Sequence, residues 1–129
     1  MTRSIVAFIV MLTLFAVGLA DLVALSPNDI TVAVFNGNGA RGMAGRTQVY
    51  LQERGFAVSG IHNAETFEYE TTYLVMLTES VKAELLADYL PVSVEIVTPE
   101  DFRVHYEAIS AWIPLEVDAA LVLGAEWPL

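Results

Sequence analysis

The chain has 129 residues, 55% of them hydrophobic and 17% charged, and a formal net charge of −10. Once an N-terminal targeting segment is set aside, that length suits one domain with an ordinary hydrophobic core. The absence of cysteine excludes disulfides, thiolate metal sites, thiol catalysis and an acylated lipoprotein cysteine, and the acidity argues against nucleic acid, because a polyanion is repelled by such a surface.

From Ile5 to Ala20 the sequence IVAFIVMLTLFAVGLA carries no charge, and Arg3 precedes it. The run predicts a membrane segment whose basic end stays in the cytoplasm while everything after it is exported. Gly18 and Ala20 also suit a signal peptidase acting before Asp21, so residues 1–25 read either as a single-pass anchor or as a discarded signal. Retention leaves the domain on the periplasmic or cell-wall side of the cell membrane; cleavage secretes it. Residues 26–29, Ser-Pro-Asn-Asp, read as a linker, and the folded domain spans 30–129.

Ile30 to Phe35 is β-branched and apolar and predicts a first strand, which ends in the turn residues Asn36-Gly37-Asn38-Gly39. Met43, Thr47, Tyr50 and Leu51 recur at helical spacing within Gly42 to Arg54, and Gly55 supplies the stop. Phe56 to Ile61 predicts a second strand, residues 62–70 a polar acidic loop, and residues 71–78 a third strand. Val81, Leu85, Leu86, Tyr89 and Leu90 mark a second helix over Glu79 to Leu90, stopped by Pro91. Residues 92–97 form a fourth strand, and Val117 to Leu123 a final buried one closed by Gly124. The order β-α-β-β-α-β-β predicts an α+β domain, a ferredoxin-like two-layer sandwich with both helices on one face of a sheet. Strand order is left open, and the opposite face is exposed, covered by a partner or shielded by residues 99–116.

Asn36-Gly37, Gly39, Gly42, Gly55-Phe56, Asn63-Ala64, Thr71-Thr72 and Val122-Leu123-Gly124 stand in the order and spacing of a known pattern. Through them residues 30–127 resemble the C-terminal domain of LytR-type cell-envelope proteins. The resemblance implies an extracytoplasmic, envelope-associated, non-catalytic domain. In that family it often follows a much larger LytR-CpsA-Psr domain similar to transferases of cell-wall glycopolymers. No stretch of this chain is long enough to hold such a domain, so transferase activity is not carried over. Residues 99–116 depart from the pattern, being longer and more aromatic.

Gly37 to Gly42 is a literal G-x-G-x-x-G between a strand and a helix, the setting of a dinucleotide fingerprint. That reading needs an acidic residue at the end of the second strand, where the chain has Ile61-His62-Asn63, and an exported domain meets few dinucleotides. A tight strand-to-helix turn is the simpler account. Three of the five basic residues beyond residue 25, Arg41, Arg46 and Arg54, cluster there, whereas residues 65–126 hold 13 acidic residues against Lys82 and Arg103. A local anion site is therefore compatible with the overall charge, with Asn36, Gly37, Asn38, Gly39, Arg41, Gly42 and Arg46 as candidate ligand residues.

Phe102, Tyr106 and Trp112, with Trp127, are suited to stack on sugar rings or fill a partner groove. Positions 102, 106 and 109 equally fit one face of a short helix on the sheet. Asp101, His105 and Ser110 fall within ten residues and lack the G-x-S-x-G of a serine nucleophile, so no catalytic group is assigned. His62 and His105 are the only histidines and no H-E-x-x-H exists, so neither a metal site nor a cofactor is expected. Two functions remain: a module binding peptidoglycan or an anionic glycopolymer through Gly37 to Arg46, and a membrane-anchored scaffold holding another envelope protein through a sheet face or residues 99–116. The oligomeric state is left open.

Overall fold

A computed structural model describes residues 25–105 and 116–129. The apolar segment 5–20, Tyr106 and Trp112 lie outside these residues. Among the described residues no helix is long and apolar enough to cross a membrane. Five strands, β1 Thr31–Asn36, β2 Ala57–Asn63, β3 Tyr73–Met76, β4 Glu95–Val97 and β5 Ala119–Leu123, form one sheet with the order β2-β1-β5-β3-β4. Among the described residues three helices accompany them: α1 Met43–Glu53, α2 Ser80–Asp88 and α3 Pro99–His105. The segment read as a linker begins with a short 3-10 turn, Pro27–Asp29, in which the Ser26 N–H donates to the Asp29 carboxylate at 2.9 Å.

The two-layer sandwich with both long helices on one face is what the chain builds, but its strand pairing is not the split arrangement of a ferredoxin-like sheet. β1 pairs directly and in parallel with β2, and β3 with β4, so each βαβ unit closes on itself. β5 lies between the units, parallel to β1 and antiparallel to β3. The two units therefore run in opposite directions, and two right-handed crossovers so arranged bring both helices to the same face. β5 takes the centre because Ala119 to Leu123 is buried throughout; β1, buried from Val32 to Asn36, lies beside it. A strand apolar on both sides is stable only with both faces covered.

One face carries Val32, Val34, Leu74, Ala119, Leu121 and Leu123, covered by Met43, Ala44 and Leu51 of α1 and by Ala83 and Leu86 of α2. Burying each large aliphatic side chain contributes roughly 1.5–3 kcal/mol before chain entropy is subtracted. Helix α1 ends where the Gly55 and Phe56 N–H groups close onto the carbonyls of Gln52 and Leu51 at 3.0 and 3.1 Å, and Phe56 returns to the core beside Leu51. The other face carries Ala33, Phe35, Val75, Ala120 and Val122, covered by Phe102 of α3 and by Tyr69 from the loop before β3. Phe102 thus takes the helix-on-sheet role open to it in the sequence. The Glu65, Glu68 and Glu70 side chains of that loop are exposed as anticipated, but Tyr69 among them is only 2% exposed.

One end of the sheet is tied by Asp118. Its carboxylate accepts from the Thr31 N–H at 2.9 Å, the Thr78 hydroxyl at 2.9 Å and the Lys82 ammonium at 3.0 Å. Burial alone would push this carboxyl up; the hydrogen bonds from Thr31, Lys82 and Thr78, with the Lys82 charge, outweigh it and hold it below the usual carboxylate range. The hydrogen bond to Asp118 in turn holds the Lys82 ammonium above its usual range, against its own desolvation. A depressed carboxyl stabilises the fold above its unfolded titration range and ceases to do so as pH falls through the folded value; a raised ammonium contributes until pH rises through its folded value. Asp118→Asn is expected to cost about 1.5–3 kcal/mol near pH 7, as loss of hydrogen bonds to a charged group does. Urea unfolding should show that difference shrinking as pH falls below the usual carboxylate range and through the depressed folded value.

Candidate functional site

The opposite end of the sheet gathers the C-terminal ends of β1, β2 and β5 with the start of β3. The Asn36 side chain, 7% exposed, organises the turn: Oδ1 accepts from the N–H groups of Asn38 and Gly39, both at 3.1 Å, and Nδ2 donates to the Ala40 carbonyl at 3.0 Å. Asn38 extends the scheme, accepting from the Ala40 N–H at 2.9 Å and donating to the Gly124 carbonyl at 2.8 Å. The Gly37 N–H reaches the Leu123 carbonyl at 3.0 Å. The N–H groups of residues 37 to 40 therefore all have acceptors inside the protein. An anion cradle would need them outward, so the N–H groups of Gly37 to Ala40 serve the turn instead. A Cβ on Gly37 would lie 2.7 Å from the Leu123 carbonyl oxygen and 2.8 Å from the Tyr69 ring, while Gly39 and Gly42 adopt φ of +75°.

The loop before β3 locks onto this turn. The Ala64 N–H donates to the Asn36 carbonyl at 2.8 Å, the Tyr69 N–H to the Gly37 carbonyl at 3.0 Å, and the Ala125 N–H to the Tyr69 carbonyl at 2.8 Å. The buried Thr72 hydroxyl accepts from the Gly124 N–H at 3.0 Å, and the Thr72 N–H donates to the Glu126 carboxylate at 2.8 Å. Asn36-Gly37, Asn63-Ala64, Thr71-Thr72 and Val122-Leu123-Gly124, separated by up to 88 positions in the sequence, meet at one pole. Beyond it, Trp127 packs into the core beneath α1 and its indole N–H donates to the buried Thr47 hydroxyl at 2.8 Å.

What this pole offers outward is narrower than the sequence suggests. Arg41 is exposed at the head of α1. Arg46 is exposed too, but its guanidinium is engaged on the surface, Nε donating to the Leu129 main-chain oxygen at 3.0 Å and Nη1 to the Arg41 carbonyl at 3.1 Å. Arg54 lies over the Tyr50 ring at 3.4 Å and donates to the Tyr50 carbonyl, apart from the turn. Phe102 is 2% exposed and Trp127 3%, so both belong to the core. Phe67, which sequence reasoning passed over inside an acidic loop, is 50% exposed and packs on the turn, its Cβ 3.1 Å from where a Gly39 Cβ would stand. A shallow depression of about 140 Å³ is lined by Ala44, Ile61, His62 and Asn63, with the His62 ring stacked on Phe35 at 5.0 Å. Nothing in a lone phenylalanine among glutamates marks it in the sequence; only the turn beneath it does.

Fold and pole together define a small α+β domain whose strand ends carry a hydrogen-bonded knot of loops, and no group of three or more metal-ligating side chains occurs among the described residues. The family model described as LytR cell envelope-related transcriptional attenuator matches residues 29–127, and the chain belongs to that family. No curated protein and no solved structure gives a match.

Proposed function

We propose that this is a non-catalytic, extracytoplasmic domain that binds cell-wall polymer at the pole built by residues 36–42 and 64–70. The observations that carry the reading are an exposed aromatic ring, Phe67, packed against Gly39, and an exposed guanidinium, Arg41, two residues further along the same turn, whose N–H groups from Gly37 to Ala40 are satisfied internally. A ring face stacks on sugar C–H surfaces, and a guanidinium holds an isolated carboxylate or phosphate. Glu65, Glu68 and Glu70 surround the site and repel a dense polyanion, so peptidoglycan suits it better than an anionic glycopolymer. Residues 5–20 hold the domain to the membrane in this reading. The described chain begins at Leu25 beside Val81 and Leu85 of α2, and β1 then carries it about 17 Å, at roughly 3.3 Å per residue, to the turn.

Co-sedimentation of the full chain with purified sacculi tests the proposal. Arg41→Ala and Phe67→Ala are each expected to weaken binding roughly three- to tenfold, the loss of about 1 kcal/mol of contact. Sedimentation of both variants at wild-type levels would remove the pole from consideration, and extraction of anionic polymers from the sacculi should leave binding in place.

A further inference from the structure

The two edges of the sheet are protected differently. β4 is three residues long, carries Glu95, and is followed by Glu100 and Asp101. Short, charged edges resist pairing with another strand. β2 is seven residues long, AVSGIHN, with no charged residue and no proline, and among the described residues it pairs on one side only. A single irregularity interrupts it: the register shifts between Val32 and Ala33, after which Gly60 to Asn63 run evenly beside Ala33 to Asn36. Ile61 is 43% exposed on this edge.

The helix above β2 continues the same surface. Ala44 of α1 lines the depression with Ile61, His62 and Asn63, and Gln48 and Gln52 follow it along that side at intervals of four. Glu53 is the sole acidic residue between positions 30 and 64, and it lies about 100° round the helix from Gln52. In a chain of net charge −10, this is the flank on which a second copy would not set carboxylates against carboxylates. The flank is also self-complementary: a seven-residue edge finds a full-length uncharged partner in the same strand of another copy, as β4 does not.

We propose that two copies of the chain associate through β2, antiparallel about a two-fold axis, joining their five-stranded sheets into one of ten strands with the α1 helices side by side. The acidic flanks then point away from each other. The chain has no cysteine, so single cysteines introduced at Ser59 or Ile61 of the full-length protein, which flank the strand's midpoint at Gly60 and so come near their own copies, are its only thiols. Copper-catalysed oxidation of membranes from cells expressing each variant should give dimers through β2 that are roughly five- to tenfold more abundant than through Glu95→Cys on the opposite edge. Adding Ile61→Lys to Ser59→Cys should reduce the dimer by a similar factor, since like charges brought together across a strand pair repel. Equal cross-linking at both edges, no cross-linking above the Glu95→Cys control, or a β2 adduct of heterologous mass would each overturn the pairing. Sacculus binding by the uncross-linked variants is independent of these outcomes.

Discussion

Gly124→Ala is expected to destabilise the domain by about 3 kcal/mol or more, at or beyond the upper end of overpacking costs. The added Cβ would stand 2.4 Å from the Thr71 carbonyl carbon, 2.5 Å from its oxygen and 2.8 Å from the Glu70 oxygen. All three are main-chain atoms held by the loop that crosses the strand ends, so no side-chain rotation relieves the clash. Moving the loop would strain the bonds from Gly124 N–H to Thr72, from Asn38 to the Gly124 carbonyl, and from Ala125 N–H to Tyr69. For a domain of this size, 3 kcal/mol lowers the melting temperature by about 12–24 °C. Gly45→Ala supplies the contrast: that glycine is inside α1 and a Cβ there meets nothing within 4 Å. It should gain about 0.5–1 kcal/mol from helix propensity. Thermal unfolding of the two variants should therefore shift in opposite directions, and a shared direction would contradict the close packing at Gly124.

Trp127→Ala should cost about 3–5 kcal/mol, as large-to-small changes in a closed core do. The indole is 3% exposed and joins the cluster containing Met43, Ala44 and Leu51. Its N–H bond to Thr47 is a smaller part of the effect. The Thr47 hydroxyl still donates to the Met43 carbonyl at 2.9 Å when the indole is gone, so Trp127→Phe should lose only about 1 kcal/mol from the missing hydrogen bond. Denaturant midpoints for the two variants separate packing from hydrogen bonding. If Trp127→Phe proves as damaging as Trp127→Ala, the bond and not the burial is what holds the C-terminal segment against α1.

Several features were legible because they depend on neighbours in sequence. The helix from Met43 to Glu53, its glycine stop and the buried run Ala119 to Leu123 follow from local spacing and turn chemistry. The glycine motif was legible as a turn for the same reason, since it lacks the acidic partner a nucleotide site needs. Arg46 was misleading: beside Arg41 it looks like a second ligand residue, yet its guanidinium is taken up by the Leu129 and Arg41 main-chain oxygens. That contact joins residues 83 positions apart, beyond the reach of any periodicity. Tyr69 and Phe67, two residues apart in one acidic loop, have opposite fates, 2% and 50% exposed, because the loop lies across the Gly37 turn.

The sequence by itself determined the five strands, the two longer helices, the family and the charge imbalance between the β1-α1-β2 part and the remainder. These are sums over local propensity and composition. Only the tertiary structure decided that β5 inserts between two closed βαβ units, that Asn36, Thr72 and Gly124 form one knot, and that β2 is the long unguarded edge. Strand order and long-range hydrogen bonding arise from which surfaces must be buried at once, and burial is a property of the packed whole that no window of residues contains.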